Sequence, residues 1–151
     1  MKLAEALQER ADLNRRIQQL RGRLMNNAVA QEGEAPSEDP KELLEELDRD
    51  IAALEELMAR INRTNCATLA GGKSLTEHIA RRDCLTLRIQ AYRDLSDTAS
   101  SQVSRRAMRS EIKILSTVNV KELQTQIDGL SKELRLLDNL IQQTNWNTEL
   151  M

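Results

Sequence analysis

Aromatic residues are nearly missing from this chain: one Trp, one Tyr and no Phe in 151 residues. A compact core of this length normally uses several aromatic rings, because each buries a large area. Their scarcity argues against such a core. Long apolar runs are missing as well. No stretch approaches the ~18 apolar residues of a membrane-spanning helix, and the first residues lack the apolar segment of a signal peptide. The expectation is a cytoplasmic protein that neither enters nor crosses a membrane. Only two cysteines are present, Cys66 and Cys84, in no metal-ligand spacing. Without an export signal they are expected as reduced thiols. A net charge of −2 gives no global case for nucleic acid or for an anionic membrane surface.

What the chain does have is charge and aliphatic side chains in a helical rhythm, with 30% Asp, Glu, Lys and Arg. Many Leu, Ala, Glu, Arg and Gln point to long helices packed along aliphatic seams. Leu3, Ala6, Arg10, Leu13, Ile17, Leu20 and Leu24 alternate by three and four, which predicts a first helix over about 2–26 with a heptad seam. The loop 27–39, rich in acid and broken by Gly and Pro, cannot continue it. Asp39 as N-cap and Pro40 at the first helical position start a second helix over about 40–66, with seam positions Leu44, Leu47, Ile51, Leu54, Met58 and Ile61.

Eleven acidic residues between Gln31 and Arg60 face only Lys41, Arg49 and Arg60, whereas the first 25 residues are rich in arginine. That asymmetry suits an antiparallel pair whose flanks attract. A third helix is predicted over about 75–97. Its apolar positions (Ile79, Cys84, Leu85, Leu87, Ile89, Tyr92 and Leu95 among them) form a broad band suited to more than one neighbour. A final helix over about 120–143 is opened by Asn119 and Glu122 in a capping-box spacing. Its seam is Val120, Leu123, Ile127, Leu130, Leu134, Leu137 and Ile141.

Between these helices the period changes. "SEIKILSTV" is rich in β-branched residues that alternate, which predicts a short strand at about 111–118. A lone strand leaves unpaired backbone groups, so it is expected to pair with the segment near 102–108 or with another copy of the chain. The fold class expected is mainly α: a single elongated domain over 1–151, with antiparallel helical hairpins of four long helices in a coiled-coil-like bundle and one short strand before the last helix. A homo-oligomer follows from the strand and from the narrow seams, with Ile112, Ile114, Val118 and Trp146 as interface candidates.

"ATLAGGKS", residues 67–74, loosely spells a phosphate-binding loop. Such a loop needs a buried strand to deliver a Gly-rich turn into a helix N-terminus. The residues before it continue an amphipathic helix instead. Gly71 and Gly72 are expected to stop that helix, and Ser74 with Glu77 to cap the next. The residual reading is an anion or nucleotide site at Gly72, Lys73 and Ser74, without hydrolysis.

His78 is the one histidine, expected at the surface or at an interface. Cys84, inside the apolar band, is expected to be buried. A basic stretch through Arg81, Arg82, Arg88, Arg93 and the arginines after it lacks interleaved aromatics. A neighbouring subunit's acidic second helix is the simpler partner for it. No catalytic residues, cofactor or metal are expected.

Several stretches together, "NAVAQEGEAPSEDP", "INRTN", "LTEHIARRD", "SEIKILSTVNV" and "NWNTEL", resemble a family of small bacterial helical proteins described as septicolysin-like. The resemblance covers nearly the whole chain and brings no catalytic residues to these positions. Its label implies a membrane-active cytolysin, whereas the residues themselves favour a non-enzymatic, self-assembling helical scaffold or interaction protein.

Overall fold

The computed structural model describes residues 1–106 and 112–151, with side chains over 1–101 and 112–151. Its order is α1 (Leu3–Asn26), α2 (Pro40–Ala67), β1 (Leu69–Ala70), β2 (Lys73–Ser74), α3 (Leu75–Arg106) and α4 (Val120–Asn147). The mainly helical class and the four helices are as expected. Contacts divide the chain into two compact units, residues 1–69 with 143–151, and residues 70–142.

In the first unit α1 and α2 pair antiparallel. Arg23 near the end of α1 reaches Glu38 just before α2, and Arg16 one helical stretch earlier reaches Asp50. Asp39 caps α2 by accepting the Lys41 N–H at 2.9 Å. The loop between the helices is closed by Asn27, whose amide donates to the Arg23 carbonyl at 2.8 Å and whose Oδ1 accepts the Glu38 N–H at 3.0 Å.

The α1 seam is as its period predicts: Leu3, Ala6, Leu13, Ile17 and Leu20 are buried. On α2 the seam is rotated from its expected place. Leu43, Asp50, Leu57, Ile61 and Thr64 are buried, while Leu44, Ile51 and Met58 are exposed. Asp50, which a hydrophobicity pattern assigns to solvent, is one of the buried positions. Its carboxylate takes both Nε and Nη2 of Arg16, and this pairing lets a charged residue occupy a seam position.

The C-terminal residues tie both helices together. Leu3 N–H donates to the Thr148 carbonyl at 2.9 Å. The Thr64 hydroxyl, fully buried, donates to the Arg60 carbonyl at 2.9 Å and accepts the Met151 N–H at 3.0 Å. Lys2 Nζ lies 2.7 Å from Glu149 Oε1. That contact holds the Glu149 carboxyl below the usual glutamate range.

In the second unit α3 and α4 run antiparallel, with His78 and Arg81 near the residues 133–140 of α4 and Tyr92 near Gln126 and Leu130. The α3 seam is narrower than the expected band. Leu75, His78, Leu85, Ile89 and Ser96 are buried at alternating heptad steps, and Leu87 and Leu95 are exposed. The polar His78 and Ser96 in that seam disguise its period. Cys84, expected to be buried, is exposed beside this seam. The α4 seam follows its expected positions, with Leu123, Ile127, Leu137 and Ile141 buried.

The strand expected at 111–118 is not formed over 112–118, which are bends and irregular backbone; residue 111 lies outside the described residues. Ser116 explains part of the difference. Its hydroxyl donates to the Val118 carbonyl at 2.7 Å and accepts the Val118 N–H at 3.3 Å. Local side-chain bonds of this kind satisfy backbone groups without a ladder. Among the described residues, the two short strands instead form a hairpin over 69–74.

Candidate functional site

The hairpin that "ATLAGGKS" encodes is built from its glycines. Gly71 has φ 57° and Gly72 φ 84°, the left-handed region that both central residues of a type I′ two-residue turn require. A side chain at either position would be strained. α2 has already ended at Ala67, so the glycines turn a hairpin rather than stop the helix directly.

Ser74 then caps α3 as its spacing predicts. Glu77 Oε2 accepts the Ser74 N–H at 2.7 Å and the Ser74 hydroxyl at 2.9 Å, and the Glu77 N–H donates back to Ser74 Oγ at 3.2 Å. The Ser74 N–H, and then its hydroxyl, hold the Glu77 carboxyl below the usual range. Glu77 therefore occupies the place an incoming anion would take at this helix start, the candidate site at Gly72, Lys73 and Ser74.

His78, expected at the surface or at an interface, is 8% exposed and so is not a surface residue of the chain. Nε2 lies 2.8 Å from the Ala70 carbonyl. A carbonyl only accepts, so Nε2 carries the proton and clamps the hairpin to the first turn of α3. Nδ1 is buried with no hydrogen-bond partner. The imidazole lines a small cleft with Lys73, Arg81, Leu136 and Leu140, and Arg81 is paired there with Glu133.

The interface candidates are scattered. Ile112 is exposed, whereas Ile114 and Val118 are half-buried and line a pocket with Leu95 and Ala99 of α3. Trp146 is exposed near the end of α4, in the first unit. The sequence reading missed a more ordered feature. Leu44, Ile51 and Met58, two turns apart along α2, are 50%, 45% and 44% exposed. They form an apolar row on the face left free with Leu43, Asp50, Leu57 and Ile61 in the seam. Its flank carries Asp48 and Glu55, both exposed. The signal was present as a second heptad register in one helix, with Leu43 and Leu57 in the register that packs.

A second missed feature is a cleft of about 490 Å³ between α3 and α4, lined by Ile89, Arg93, Leu134, Arg135 and Asp138 among others. Among the described residues, no group of three or more His, Cys, Asp or Glu is placed to hold a metal ion. Among those residues, too, no helix is long and apolar enough to cross a membrane.

Residues 10–150 match the sequence profile of DUF6847, a family of unknown function. The chain belongs to this DUF6847 family. A crystal structure described as a functionally unknown conserved protein from Corynebacterium diphtheriae superimposes with a TM-score of 0.95 at 40% identity, covering 100% of this chain and 99% of that one. No curated protein matches the chain. The mainly helical fold is thus shared with a solved relative over essentially the full length.

Proposed function

We propose that the protein is a non-enzymatic, cytoplasmic helical interaction protein that assembles with copies of itself. The observation that carries this reading is the exposed row Leu44, Ile51 and Met58 on α2. Aliphatic side chains at heptad spacing, rimmed by charge, suit the packing of one helix against another. Asp48 and Glu55 beside the row disfavour a contact between two identical α2 faces, because their carboxylates would be brought together.

The complementary surface lies on α3. Its exposed face carries Ala80, Leu87 and Ala91, with Arg81 and Arg88 alongside. The acidic row of one copy against the arginine-edged face of another matches apolar with apolar and opposite charge with opposite charge. Arg81 already pairs with Glu133 within the chain, so Arg88 is the principal cation of this contact.

Sedimentation velocity over a range of protein and salt concentrations tests the reading. The wild-type chain should sediment as an oligomer that weakens at high salt, and Leu87→Glu should sediment as a monomer with its helical circular dichroism intact. A Leu87→Glu variant that assembles like the wild type would remove α3 from the contact.

A further inference from the structure

Ile89 and Arg93, which line the α3–α4 cleft, project roughly 200° and 240° around α3 from Leu87 at about 100° per residue, while Gln90 at its edge projects roughly 300°. Its volume of about 490 Å³ falls within the range of small-molecule sites. The floor is apolar: Ile89 is 4% exposed and Leu134 half-buried. The walls are not. Arg93 enters from α3 and Arg135 from α4, with Ser131 and Asp138 beside them.

On α3, Arg81 and Arg82 each meet a carboxylate, whereas Arg88, like these two, meets none among the described residues. Among the described residues, Arg93 meets only the Ser131 hydroxyl, at 3.5 Å. Arg135 meets no carboxylate within salt-bridge distance among those residues, and Asp138 stands in the cleft without bridging to either arginine. The cleft therefore carries two guanidiniums and one carboxyl group over an aliphatic floor, with neither arginine ion-paired among the described residues. A guanidinium fork matches the oxygens of a carboxylate or phosphate. An inorganic ion alone would leave the floor wet, and a plain hydrocarbon would leave both cations unpaired.

We propose that this cleft binds a small organic anion, a carboxylate or phosphate monoester with a short apolar body. The acid group sits between Arg93 and Arg135, and the body lies on Ile89 and Leu134. The inference stands apart from self-assembly, because Ile89 and Arg93 project away from Leu87 on α3.

Calorimetric titration at low salt, with hexanoate, hexyl phosphate, inorganic phosphate and hexylamine as probes, tests it. At least one of the two organic anions should saturate one site per chain. Arg93→Gln and Arg135→Gln should each weaken that binding about tenfold or more, which is about 1.4 kcal/mol. Lys132→Gln, a change outside the cleft on the same helix, should leave it unchanged, as should a check of helicity in all three variants. Leu134→Glu should abolish binding by placing a carboxylate on the floor.

Hexylamine should not saturate. Inorganic phosphate binding as tightly as hexyl phosphate would overturn the apolar half of the proposal. Absence of saturable binding by either organic anion up to roughly 10 mM would overturn it entirely, as would unchanged affinity in the Arg93→Gln, Arg135→Gln double variant. Binding accompanied by a change in sedimenting mass would instead place the cleft in the subunit contact and count against a separate site.

Discussion

Arg16 of α1 grips the buried carboxylate of Asp50 on α2 through two guanidinium nitrogens, Nε at 3.2 Å from Oδ2 and Nη2 on Oδ1. The pair is asymmetric, since the Asp50 side chain is buried while that of Arg16 is largely exposed. Removing the arginine strands a carboxylate in a helical seam, whereas removing the acid frees an arginine that water can solvate. Arg16→Ala should therefore cost about 1–3 kcal/mol, less than a fully buried pair because Arg16 is solvent-screened. Asp50→Leu should be neutral or stabilising. Chemical denaturation of the two variants checks the order, and equal losses in both would contradict it.

The same pair has a consequence for partner binding. With Leu43, Asp50, Leu57 and Ile61 in the seam, Leu44, Ile51 and Met58 face outward. In Asp50→Leu the inward face becomes wholly aliphatic without moving the row, so the assembly state should not change. Loss of assembly in that variant, with the fold intact, would show that the subunit contact depends on Asp50 itself.

At the hairpin, Gly71→Ala and Gly72→Ala each force an L side chain into the left-handed region, at a cost of roughly 1–2 kcal/mol. His78→Ala removes the donor to the Ala70 carbonyl and leaves a void in the α3 seam. Hydrogen exchange should show the amides around 69–78 losing protection in His78→Ala while α1 keeps its own. Uniform loss across the chain would mean that His78 supports far more than the hairpin.

Acid sensitivity follows from three carboxyls held below their ordinary range: Glu38 by Arg23, Glu77 by the Ser74 N–H and hydroxyl, and Glu149 by Lys2. For each, the folded state holds the charged form more tightly than the unfolded chain does. Their contribution is therefore complete above the ordinary glutamate value of about 4.3 and is lost as pH falls through the lower folded-state values. Thermal midpoints measured downward from neutral pH should fall below about pH 4.3, and Glu77→Gln should flatten part of that fall. A midpoint that rises on acidification would reverse the sign.

Much of this fold is written plainly in the chain. The α1 and α4 seams are legible because nearly every buried position is aliphatic, and the caps at Asp39, Ser74 and Asn119 are legible because their side chains bond to the N–H groups that their spacing implies. The α2 and α3 seams are not, because Asp50, Thr64, His78 and Ser96 occupy buried positions that hydropathy assigns to solvent. The β-branched segment before α4 misleads in the opposite direction: its alternation suits a strand, yet Ile114 and Val118 are half-buried beside a pocket they share with α3, and Ser116 bonds locally to Val118. The α3–α4 cleft was invisible to pattern reading, since Arg93 and Arg135 lie 42 positions apart and only the antiparallel pairing brings them together.

Self-assembly through the α2 row is tested most directly by sedimentation equilibrium of the wild type beside Ile51→Glu, at several loading concentrations. The wild type should give a mass above that of one chain, rising with concentration to a fixed multiple. Ile51→Glu should give the mass of one 17.2 kDa chain with unchanged helicity. A wild-type mass of one chain at every concentration, or an Ile51→Glu oligomer matching the wild type, would contradict it.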